Sequence, residues 1–397
     1  MPESIVSAVT ARDRLVLALA LTPQLGPTRV RRLFERIPRV EDIFRASLTE
    51  LETTGLPAAS SQSIALGESL RRADAELEKL VKTPGVTLVT MGSELYPPQL
   101  AEIYDPPLVL TVRGDVRALL SPGIAMVGTR HPTPYGLGMA ERLSQDLSNC
   151  GLVIISGLAR GIDSAAHKGT VMARGRTVAV FGTGVDVIYP RENRKLADQI
   201  VELGGALVSE FPLGSGPTPH NFPLRNRVIS GLSRGVLVVE AGEYSGTRIT
   251  SRCALEQCRE VFAVPGNVTN KLAWTPNTLI KQGAKLVATW EDVFEELASE
   301  IRIQLHEHSA QLPEPQSVLL FDSASETGSA ASPVPEVSIV EQRVFSVIKA
   351  DESIHIDELI DHFEGTLSSS EIFTSLFELE LANRIRQLPG KNYVRVF

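Results

Sequence analysis

The sequence predicts an α/β protein with a doubly wound, mostly parallel sheet, preceded by an all-α domain and followed by a second small domain. Three observations predict this organisation. From Gly123 to Leu297, short apolar runs alternate with helical stretches, as in βαβ units. Residues 12–80 show helical periodicity without strand signals, and the residues after 338 give three helices and then two short strands.

The first predicted domain, residues 1–85, is helical. An apolar run from Leu15 to Leu21 ends at a break from Gln24 to Pro27, and a longer helix is predicted from about Ser60 to Leu80. Loops with an apolar residue before a glycine resemble those of helix-hairpin-helix or SAM-like domains, whose backbone N–H groups can bind phosphate. A plain helical bundle without DNA contact is the alternative.

The second predicted domain, residues 86–300, carries an extended Rossmann-like sheet. Its strands are apolar on both faces, which suits a sheet covered by helices on both sides. The predicted strands are Ile124 to Val127, Leu152 to Ile155, Thr177 to Phe181, Ala206 to Ser209, Val236 to Val239, Val261 to Val264 and Lys285 to Ala288. Helices are predicted between them at Gly138 to Leu147, Asp163 to Ala173, Asn193 to Leu203 and Ser251 to Cys258.

The C-terminal part is predicted to contain a linker and a small domain. Residues 301–337 are rich in Ser, Ala, Pro, Glu and Gln, a composition typical of a flexible linker. In residues 338–397, three predicted helices precede a strand pair, which is the winged-helix arrangement. These elements are Val340 to Ile348, Ile356 to His362, Ser370 to Glu380, Ile385 to Leu388 and Tyr393 to Phe397.

The net charge of −8 is distributed unevenly. Residues 1–85 carry 12 basic and 11 acidic side chains, residues 86–297 carry 20 of each, and residues 298–397 carry 7 and 16, which gives differences of +1, 0 and −9. Because the acidity belongs to the C-terminal part, a nucleic-acid site in the first two domains has to be a local cluster of cations.

The composition also predicts where the protein works. Apolar stretches fall far short of the ~20 residues of a membrane helix, and the N-terminal residues do not resemble a signal peptide, so we expect a cytoplasmic protein. Cys150, Cys253 and Cys258 lack metal-ligand spacing and are predicted to be reduced and buried. We predict no metal site and no cofactor.

Two glycine-rich motifs are predicted at the carboxyl ends of the first strands, where open α/β sheets bind ligands. In the first, Gly128 permits a tight turn, Thr129 offers a hydroxyl and Arg130 offers a planar fork suited to phosphate. The second is SGLARG, residues 156–161, which contributes Ser156, Gly157 and Arg160, with Asp163 or Ser164 capping the next helix. Together they predict an anion-binding rim.

Two further motifs lie later in the same domain. The segment HNFPLRNR, residues 220–227, interleaves Phe222 with Arg225 and Arg227. This mixture of an aromatic ring and cations suits single-stranded nucleic acid, whose bases stack on rings. In EAGEYSGTRIT, residues 240–250, the turn Ser245, Gly246 and Thr247 is predicted to lie at a helix N-terminus. Alternatively, Arg225 and Arg227 form structural ion pairs with Glu210 or Glu240.

The order of the motifs resembles that of the DNA processing protein A family (DprA/Smf). The resemblance is dense from residue 85 to residue 295. It rests on VGTR, SGLARGIDSAAH, GVDVIYPREN, SEFP, FPLRNRVISGLS, VVEAGEYSGT, AVPGN and NTLIKQGA. It implies binding and protection of incoming single-stranded DNA in natural transformation, loading of the recombinase RecA onto that strand, and a homodimer formed through the Rossmann-like domain.

The resemblance also implies roles for single residues. Arg130 would bind a phosphate, and Phe222 and Arg225 would add stacking and charge. The floor of the binding pocket would be formed by Gly128, Thr129, Ser156 and Gly157. This is a binding role, so no catalytic residue is predicted. His167 is interpreted as a buried or capping histidine instead of a general base.

The sequence departs from the family at two places. Thr275 and Pro276 precede Asn277 where a Gly-Thr pair is usual, which leaves the shape of that loop open. Arg248 follows the SGT turn where an apolar residue is usual, and it could add a cation to the groove.

Two enzyme classes compete with this interpretation. Phosphoribohydrolases of similar fold have a PGGxGTxxE pattern, but the segment EAGEYSGTRIT lacks the final glutamate of that pattern. Release of a free base from a nucleoside monophosphate would support this class. Nicotinamide-dependent dehydrogenases have a GxGxxG turn after the first strand, which this sequence does not have.

The predicted third helix of the winged-helix domain is acidic. It carries Glu371, Glu378 and Glu380 and no cation before Arg384, whereas a helix that reads duplex DNA presents cations. We therefore expect this domain to bind protein, or to pack on the basic groove and regulate access to it.

Overall fold

The computed structural model describes residues 9–311, 339–349, 353–363, 366–382, 384–388 and 390–395, which divide into two compact units. The first unit contains the residues up to His131 and Ala140–Leu305, and the second contains Pro132–Met139 and the residues from His306 onward. The expected linker is helical at its start, because a helix runs over Ser299–Gln311. The rest of the linker, residues 312–337, lies outside the described residues.

The first unit contains a large, mostly parallel sheet, which confirms the predicted α/β fold. Within the described ranges it has nine strands in the order β1-β2-β6-β5-β4-β3-β7-β8-β9, and β1 and β2 are antiparallel to their neighbours. The strands are β1 (Val86–Thr90), β2 (Val109–Gly114), β3 (Gly123–Val127), β4 (Val153–Ser156), β5 (Thr177–Phe181), β6 (Ala206–Ser209), β7 (Gly235–Val238), β8 (Glu260–Ala263) and β9 (Lys285–Leu286). The last seven match the predicted strands.

Helices cover both faces of this sheet. In β5, Val178 and Val180 belong to one apolar cluster while Ala179 and Phe181 belong to another, as the alternation of side chains along a strand requires. The helices that follow β1 are α7 (Pro98–Ala101), α8 (Pro134–Asn149), α9 (Ile162–Met172), α10 (Arg194–Glu202), α11 (Asn221–Gly231), α12 (Thr247–Glu256), α13 (Trp274–Lys281), α14 (Trp290–Phe294) and α15 (Ser299–Gln311).

The chain reverses direction across the sheet at β3. From β3 it builds β4, β5 and β6 on one side and then returns to add β7 on the other side. In sheets of this kind a crevice opens between the two strands at the switch, at their carboxyl ends. The fold therefore places a binding crevice after Val127 and after Val238.

The N-terminal helices pack on one another and on the edge of the sheet. Their apolar cluster includes Val109, the first residue of β2, and Leu108 before it. The single helix expected from Ser60 to Leu80 is in fact two helices, because Gly67 adopts a left-handed conformation with φ +71°. These helices are α1 (Ala11–Ala20), α2 (Pro27–Arg36), α3 (Val40–Ile43), α4 (Leu48–Thr53), α5 (Ala58–Ala65) and α6 (Glu68–Lys82).

The second unit contains the winged-helix domain that the sequence predicts. Its core is formed by apolar residues such as Val344, Leu359, Ile372 and Leu376. The strand order is β10-β12-β11, so a short strand before the second helix completes the wing. The elements are α16 (Ile339–Val347), β10 (Ile354–His355), α17 (Ile356–His362), α18 (Ser369–Leu381), β11 (Ile385–Leu388) and β12 (Asn392–Arg395).

Two further expectations concern burial and membranes. The prediction that all three cysteines are buried is wrong, because Cys258 is exposed and Cys150 and Cys253 are half-buried, although all three are free thiols. Among the described residues, no helix is both long and apolar enough to span a bilayer.

Candidate nucleic-acid interface

A cavity of about 850 Å³ opens at the carboxyl ends of β3 and β7. We call it the strand-end cavity. It is lined by residues of the segments 127–131, 219–229 and 242–250, together with Ala159, Asp163, Tyr189 and Leu272. Eight of the predicted binding residues line it, and they are Gly128, Thr129, Arg130, Phe222, Arg225, Ser245, Gly246 and Thr247.

The turn after β3 is fixed by backbone contacts. The N–H of Thr129 donates to the Glu240 carbonyl at 2.6 Å, and its own carbonyl accepts from the N–H of Ile162 at 3.2 Å. A Cβ on Gly128 would lie 2.5 Å from Ile162 Cγ1 and 2.8 Å from the Glu240 oxygen, so only glycine fits. The turn therefore joins the ends of β3 and β7 to the start of α9.

Arg130 and Phe222 face each other in the strand-end cavity. The guanidinium carbon of Arg130 lies 5.9 Å from the centre of the Phe222 ring, within the range of a cation–π contact. Phe222 also approaches Tyr189, with 5.8 Å between ring centres, and it packs on Gly182, where a Cβ would lie 2.9 Å from the ring. An exposed cation thus lies beside one aromatic ring, and a second ring packs against the first.

Arg225 is buried beneath this pair. It is only 5% exposed, and its Nη1 donates to the Val180 carbonyl at 2.9 Å. The nearby Asp163 carboxylate accepts from the Gly157 N–H at 3.1 Å. Burial lowers the pKa of Arg225 to about 10, with Asp163 opposing the shift, and burial raises the pKa of Asp163 against the effect of Arg225. Each charge therefore depends on the other, which leaves Arg225 less available to a phosphate than Arg130.

The SGT turn forms the opposite wall at the start of α12. Ser245 Oγ lies 3.0 Å from Thr247 Oγ1 and accepts from the Thr247 N–H at 3.2 Å. Before it, Tyr244 is 91% exposed and also lines the strand-end cavity. The wall thus combines hydroxyl groups with a freely accessible ring.

Four predicted binding residues do not line the cavity. Ser156 is buried, and its hydroxyl donates to the Met126 carbonyl at 2.6 Å. Gly157 lies under the Arg225 guanidinium, since a Cβ there would be 1.6 Å from Nη1. Both therefore act as support beneath the lining residues.

The other two are the arginines Arg160 and Arg227, and both have carboxylate partners. Arg160 is exposed, and its Nε and Nη2 donate to Glu192 at 2.5 and 2.8 Å. Arg227 is buried and pairs with Glu210 at 2.5 Å and with Asp105 at 3.2 Å. The alternative of a structural ion pair thus describes Arg227, whereas Arg225 lacks a carboxylate within 4.0 Å among the described residues.

His167 is fully buried and does not reach the strand-end cavity. Its Nδ1 lies 2.7 Å from Thr177 Oγ1. Burial, and to a smaller extent the positive charge of Arg225, lower its pKa to about 3. The neutral ring is thus part of the core, as the sequence led us to expect.

The two departures from the family pattern lie together near α13. Thr275 Oγ1 donates to the Gly242 carbonyl at 2.8 Å, and Asn277 exchanges hydrogen bonds with Gly266 at 3.0 and 3.2 Å, so the loop is well anchored. Arg248 does not line the strand-end cavity; it stacks on Trp274 at 5.5 Å beside a second cavity of about 670 Å³.

Sequence reasoning missed several lining residues. Tyr189, Tyr244 and Asn226 were not singled out, although each follows a strand or belongs to a motif that was named. An aromatic residue in the loop between a strand and the following helix is the signal that could have found Tyr189 and Tyr244.

Comparisons with known proteins agree with this fold. Residues 87–298 match the family model described as DNA recombination-mediator protein A, and residues 328–391 match that of the DprA winged helix domain. Protein Smf of Escherichia coli (strain K12) is 42% identical over 322 residues, 80% of this chain and 79% of that protein. DNA processing protein DprA of Bacillus subtilis (strain 168) is 48% identical over 215 residues, 54% of this chain and 72% of that protein.

A solved structure extends the similarity to three dimensions. The X-ray structure of DNA processing protein A from Streptococcus pneumoniae matches with a TM-score of 0.62 and 34% identity, covering 73% of this chain and 98% of that one. Together with the matched family models, these relatives show that the chain belongs to the DNA processing protein A (DprA/Smf) family.

Proposed function

We propose that this protein binds single-stranded DNA in the strand-end cavity, with Arg130 on a phosphate and Phe222 stacked on a base. The observation that carries the proposal is the contact between these two side chains, 5.9 Å apart at the mouth of the crevice. Single strands are bound by cations that follow the backbone and by rings that accept unpaired bases. Tyr189 and Tyr244 offer further rings in the same cavity.

Charge alone does not explain the affinity that we expect. Arg130 and Arg225 line the strand-end cavity, but so do Asp163 and Glu243. Because the buried Arg225 faces Asp163, Arg130 is the main cation available to a phosphate. We therefore assign much of the binding energy to stacking, and we expect a modest salt dependence for an oligonucleotide that fills only this cavity.

In the cell, the proposed role is protection of incoming single-stranded DNA in natural transformation and loading of RecA onto it. The family description, DNA recombination-mediator protein A, supports this role. It is a binding role without a catalytic step. The other DNA-binding residues that we predicted belong to the same proposal in supporting roles. Ser156 and Gly157 lie beneath the cavity, Arg160 adds a cation beside it, and Arg227 holds α11 in place through its ion pairs.

We also propose that the protein forms a homodimer through the Rossmann-like domain. The second cavity supports this, because Ile249, Leu255 and Trp274 around it are exposed apolar side chains. Exposed apolar patches of this kind mark protein interfaces. Sedimentation equilibrium of the wild type and of Leu255→Glu would test the proposal, and we expect dissociation of the variant.

For the winged-helix domain we propose a protein-binding or regulatory role. Helix α18 exposes Phe373 and Phe377, at 50% and 62%, together with its glutamates. The cations Arg384 and Arg395 stack on Phe345, at 4.4 and 4.0 Å from the ring centre. An apolar and acidic helix face is suited to a protein partner and repels duplex DNA.

Fluorescence anisotropy of a labelled single-stranded oligonucleotide, titrated with salt, tests DNA binding directly. We expect the single strand to bind more tightly than its duplex and Arg130→Ala to weaken binding. Equal binding of the duplex, or no binding, would overturn the proposal. In that case, release of a free base from a nucleoside monophosphate would be the next assay.

A further inference from the structure

A second concentration of cations lies on helix α2, far from the motifs described above in sequence. Arg29, Arg32 and Arg36 follow the spacing i, i+3, i+7, so they share one face of the helix, which we call the basic face of α2. All three side chains are exposed. Seven residues of helix span about 10 Å, so the three guanidinium groups form a stripe instead of a point.

The overall charge of the N-terminal helices conceals this stripe. Residues 1–85 have a net charge of only +1, but the segment 24–39 holds five arginines and a single acid, Glu35. Three of the acids elsewhere in these helices have structural partners: Asp13 caps α1 and accepts from Thr90, Glu50 caps α4, and Asp74 pairs with Arg14. These three carboxylates are thus engaged by residues outside the basic face of α2.

The three arginines retain most of their hydrogen-bonding capacity. Arg29 donates to the Gln24 carbonyl at 2.6 Å and Arg36 to the Thr53 carbonyl at 2.7 Å. Throughout the part of the chain that the structure describes, none of the three has a carboxylate within 4.0 Å, and Arg32 has no hydrogen-bond partner. A guanidinium has five N–H donors, so several on each side chain remain directed to solvent.

Contacts connect α2 to the helix that carries Phe222. The guanidinium carbon of Arg31 lies 5.9 Å from the centre of the Tyr104 ring. The next residue, Asp105, pairs with Arg227 of α11 at 3.2 Å. Two adjacent residues therefore join α2 to α11, within the same compact unit.

We propose that the basic face of α2 is a second binding site for the phosphodiester backbone of single-stranded DNA. A strand held in the strand-end cavity would extend onto this stripe, so the site rests on the proposed function. Three arginines along one helix face suit successive phosphates of a flexible strand, because guanidinium groups bind phosphate oxygens without regard to base sequence. The two sites together bind a long strand more tightly than either alone.

The test compares two oligonucleotides and two triple variants of the full chain. One oligonucleotide has about six nucleotides, near the low end of site sizes for one groove, and the other has about 40. The variant is Arg29→Gln/Arg32→Gln/Arg36→Gln. The matched control is Arg117→Gln/Arg174→Gln/Arg234→Gln, which removes three exposed arginines. These residues precede β3, β5 and β7, so they lie toward the amino ends of the strands, away from the strand-end cavity.

The α2 variant should bind the long oligonucleotide at least tenfold more weakly in low salt and bind the short one as the wild type does. Because each phosphate contact contributes about 0.7 to the slope of log K against log salt for single strands, the slope should fall by about 2. The control should keep the wild-type slope. Circular dichroism melting of both variants checks that the helices remain folded.

The other outcomes are equally informative. If the α2 variant keeps the wild-type affinity and slope for the long strand, the second site does not exist, while the proposed function stands as long as Arg130→Ala still weakens binding. If the wild type binds neither oligonucleotide, the proposed function itself fails. The duplex of the long oligonucleotide is titrated in parallel; if the α2 variant loses affinity for the duplex alone, the stripe binds double-stranded DNA and the proposal for single strands is overturned.

Discussion

The Arg225 guanidinium occupies the space that a side chain on Gly157 would need: a Cβ on Gly157 would lie 1.6 Å from Nη1 and 2.4 Å from Cζ. Arg225 is held from the other side by the Val180 carbonyl. The floor of the strand-end cavity therefore depends on the absence of a single methyl group.

Gly157→Ala should displace Arg225 and destabilise the protein. Overpacking of a close-packed core costs roughly 1–3 kcal/mol, and movement of Arg225 would also disturb the lining of the cavity. Denaturant unfolding and DNA anisotropy would measure the two effects. Gly216→Ala is the control, because a Cβ there meets no atom within 4 Å. Equal stability of the two variants would show that Arg225 moves without cost.

Arg130 and Phe222 should contribute to DNA affinity in different ways. Phe222→Ala should cost about 1–3 kcal/mol for one stacked base and leave the salt slope unchanged. Arg130→Ala should reduce the slope of log K against log salt by about 0.7. Arg130→Lys should restore that slope but only part of the affinity, because an ammonium lacks the paired N–H donors of a planar guanidinium. Anisotropy at several salt concentrations separates these effects. A reduced salt slope in Phe222→Ala would contradict the assignment of stacking to Phe222 and of the phosphate contact to Arg130.

Glu192→Gln should increase the affinity for single-stranded DNA. Arg160 donates two hydrogen bonds to the Glu192 carboxylate, which competes with a phosphate for the same guanidinium. Neutralising the carboxylate leaves Arg160 available and should steepen the salt dependence. If the affinity is unchanged, Arg160 does not belong to the interface. Arg160→Ala/Glu192→Gln is the matched control and should lose the gain.

Stability should fall as the pH decreases from about 6.5 toward 3, in part because of His167. Burial lowers the pKa of this histidine to about 3 in the folded protein, whereas the unfolded chain takes up a proton near pH 6.5. The unfolded state thus binds more protons in this window, so acid favours unfolding, by about 2 kcal/mol at pH 5 from this group. Above about pH 7 the group has no effect.

His167→Asn isolates this contribution. The difference in unfolding free energy between pH 7 and pH 5 should be smaller in the variant than in the wild type, because other titrating groups are common to both proteins. Urea unfolding at the two pH values provides the measurement. An identical pH dependence in both proteins would show that His167 does not titrate differently on folding.

Removal of the residues after Glu336 should leave the affinity for single-stranded DNA unchanged or increase it. The winged-helix domain is acidic, and α18 presents Phe373, Phe377 and glutamates where a DNA-reading helix has cations. Anisotropy of the truncated and full chains tests this. A large loss of affinity would contradict our interpretation, and Phe373→Ser/Phe377→Ser in the full chain would show whether the exposed rings are responsible.

The parallel strands could be predicted because each is an apolar run between turn residues. β1 and β2 were missed because they lie before the first βαβ unit and pair antiparallel with the edge of the sheet. Their position follows from long-range pairing, which a local pattern does not contain.

The roles of Arg225 and Arg227 could not be separated without the helix that carries them. Within α11, Phe222, Arg225 and Ile229 are three and four residues apart and share the face that lines the cavity. Arg227 is two residues from Arg225 and points elsewhere, toward Asp105 and Glu210. The motif was interpreted as one stretch of binding residues, whereas helical geometry divides it between the cavity and the core.

The ion pairs of Arg227 also determine how much freedom the binding site has before DNA arrives. They fix α11 to two other segments, so the backbone that carries Phe222 has few alternative positions. An aromatic side chain with two torsions on a fixed backbone loses little conformational entropy when a base stacks on it. The entropy cost of forming the complex therefore falls mainly on the DNA strand, and a strand constrained to its bound conformation should gain more affinity than a stiffened protein would.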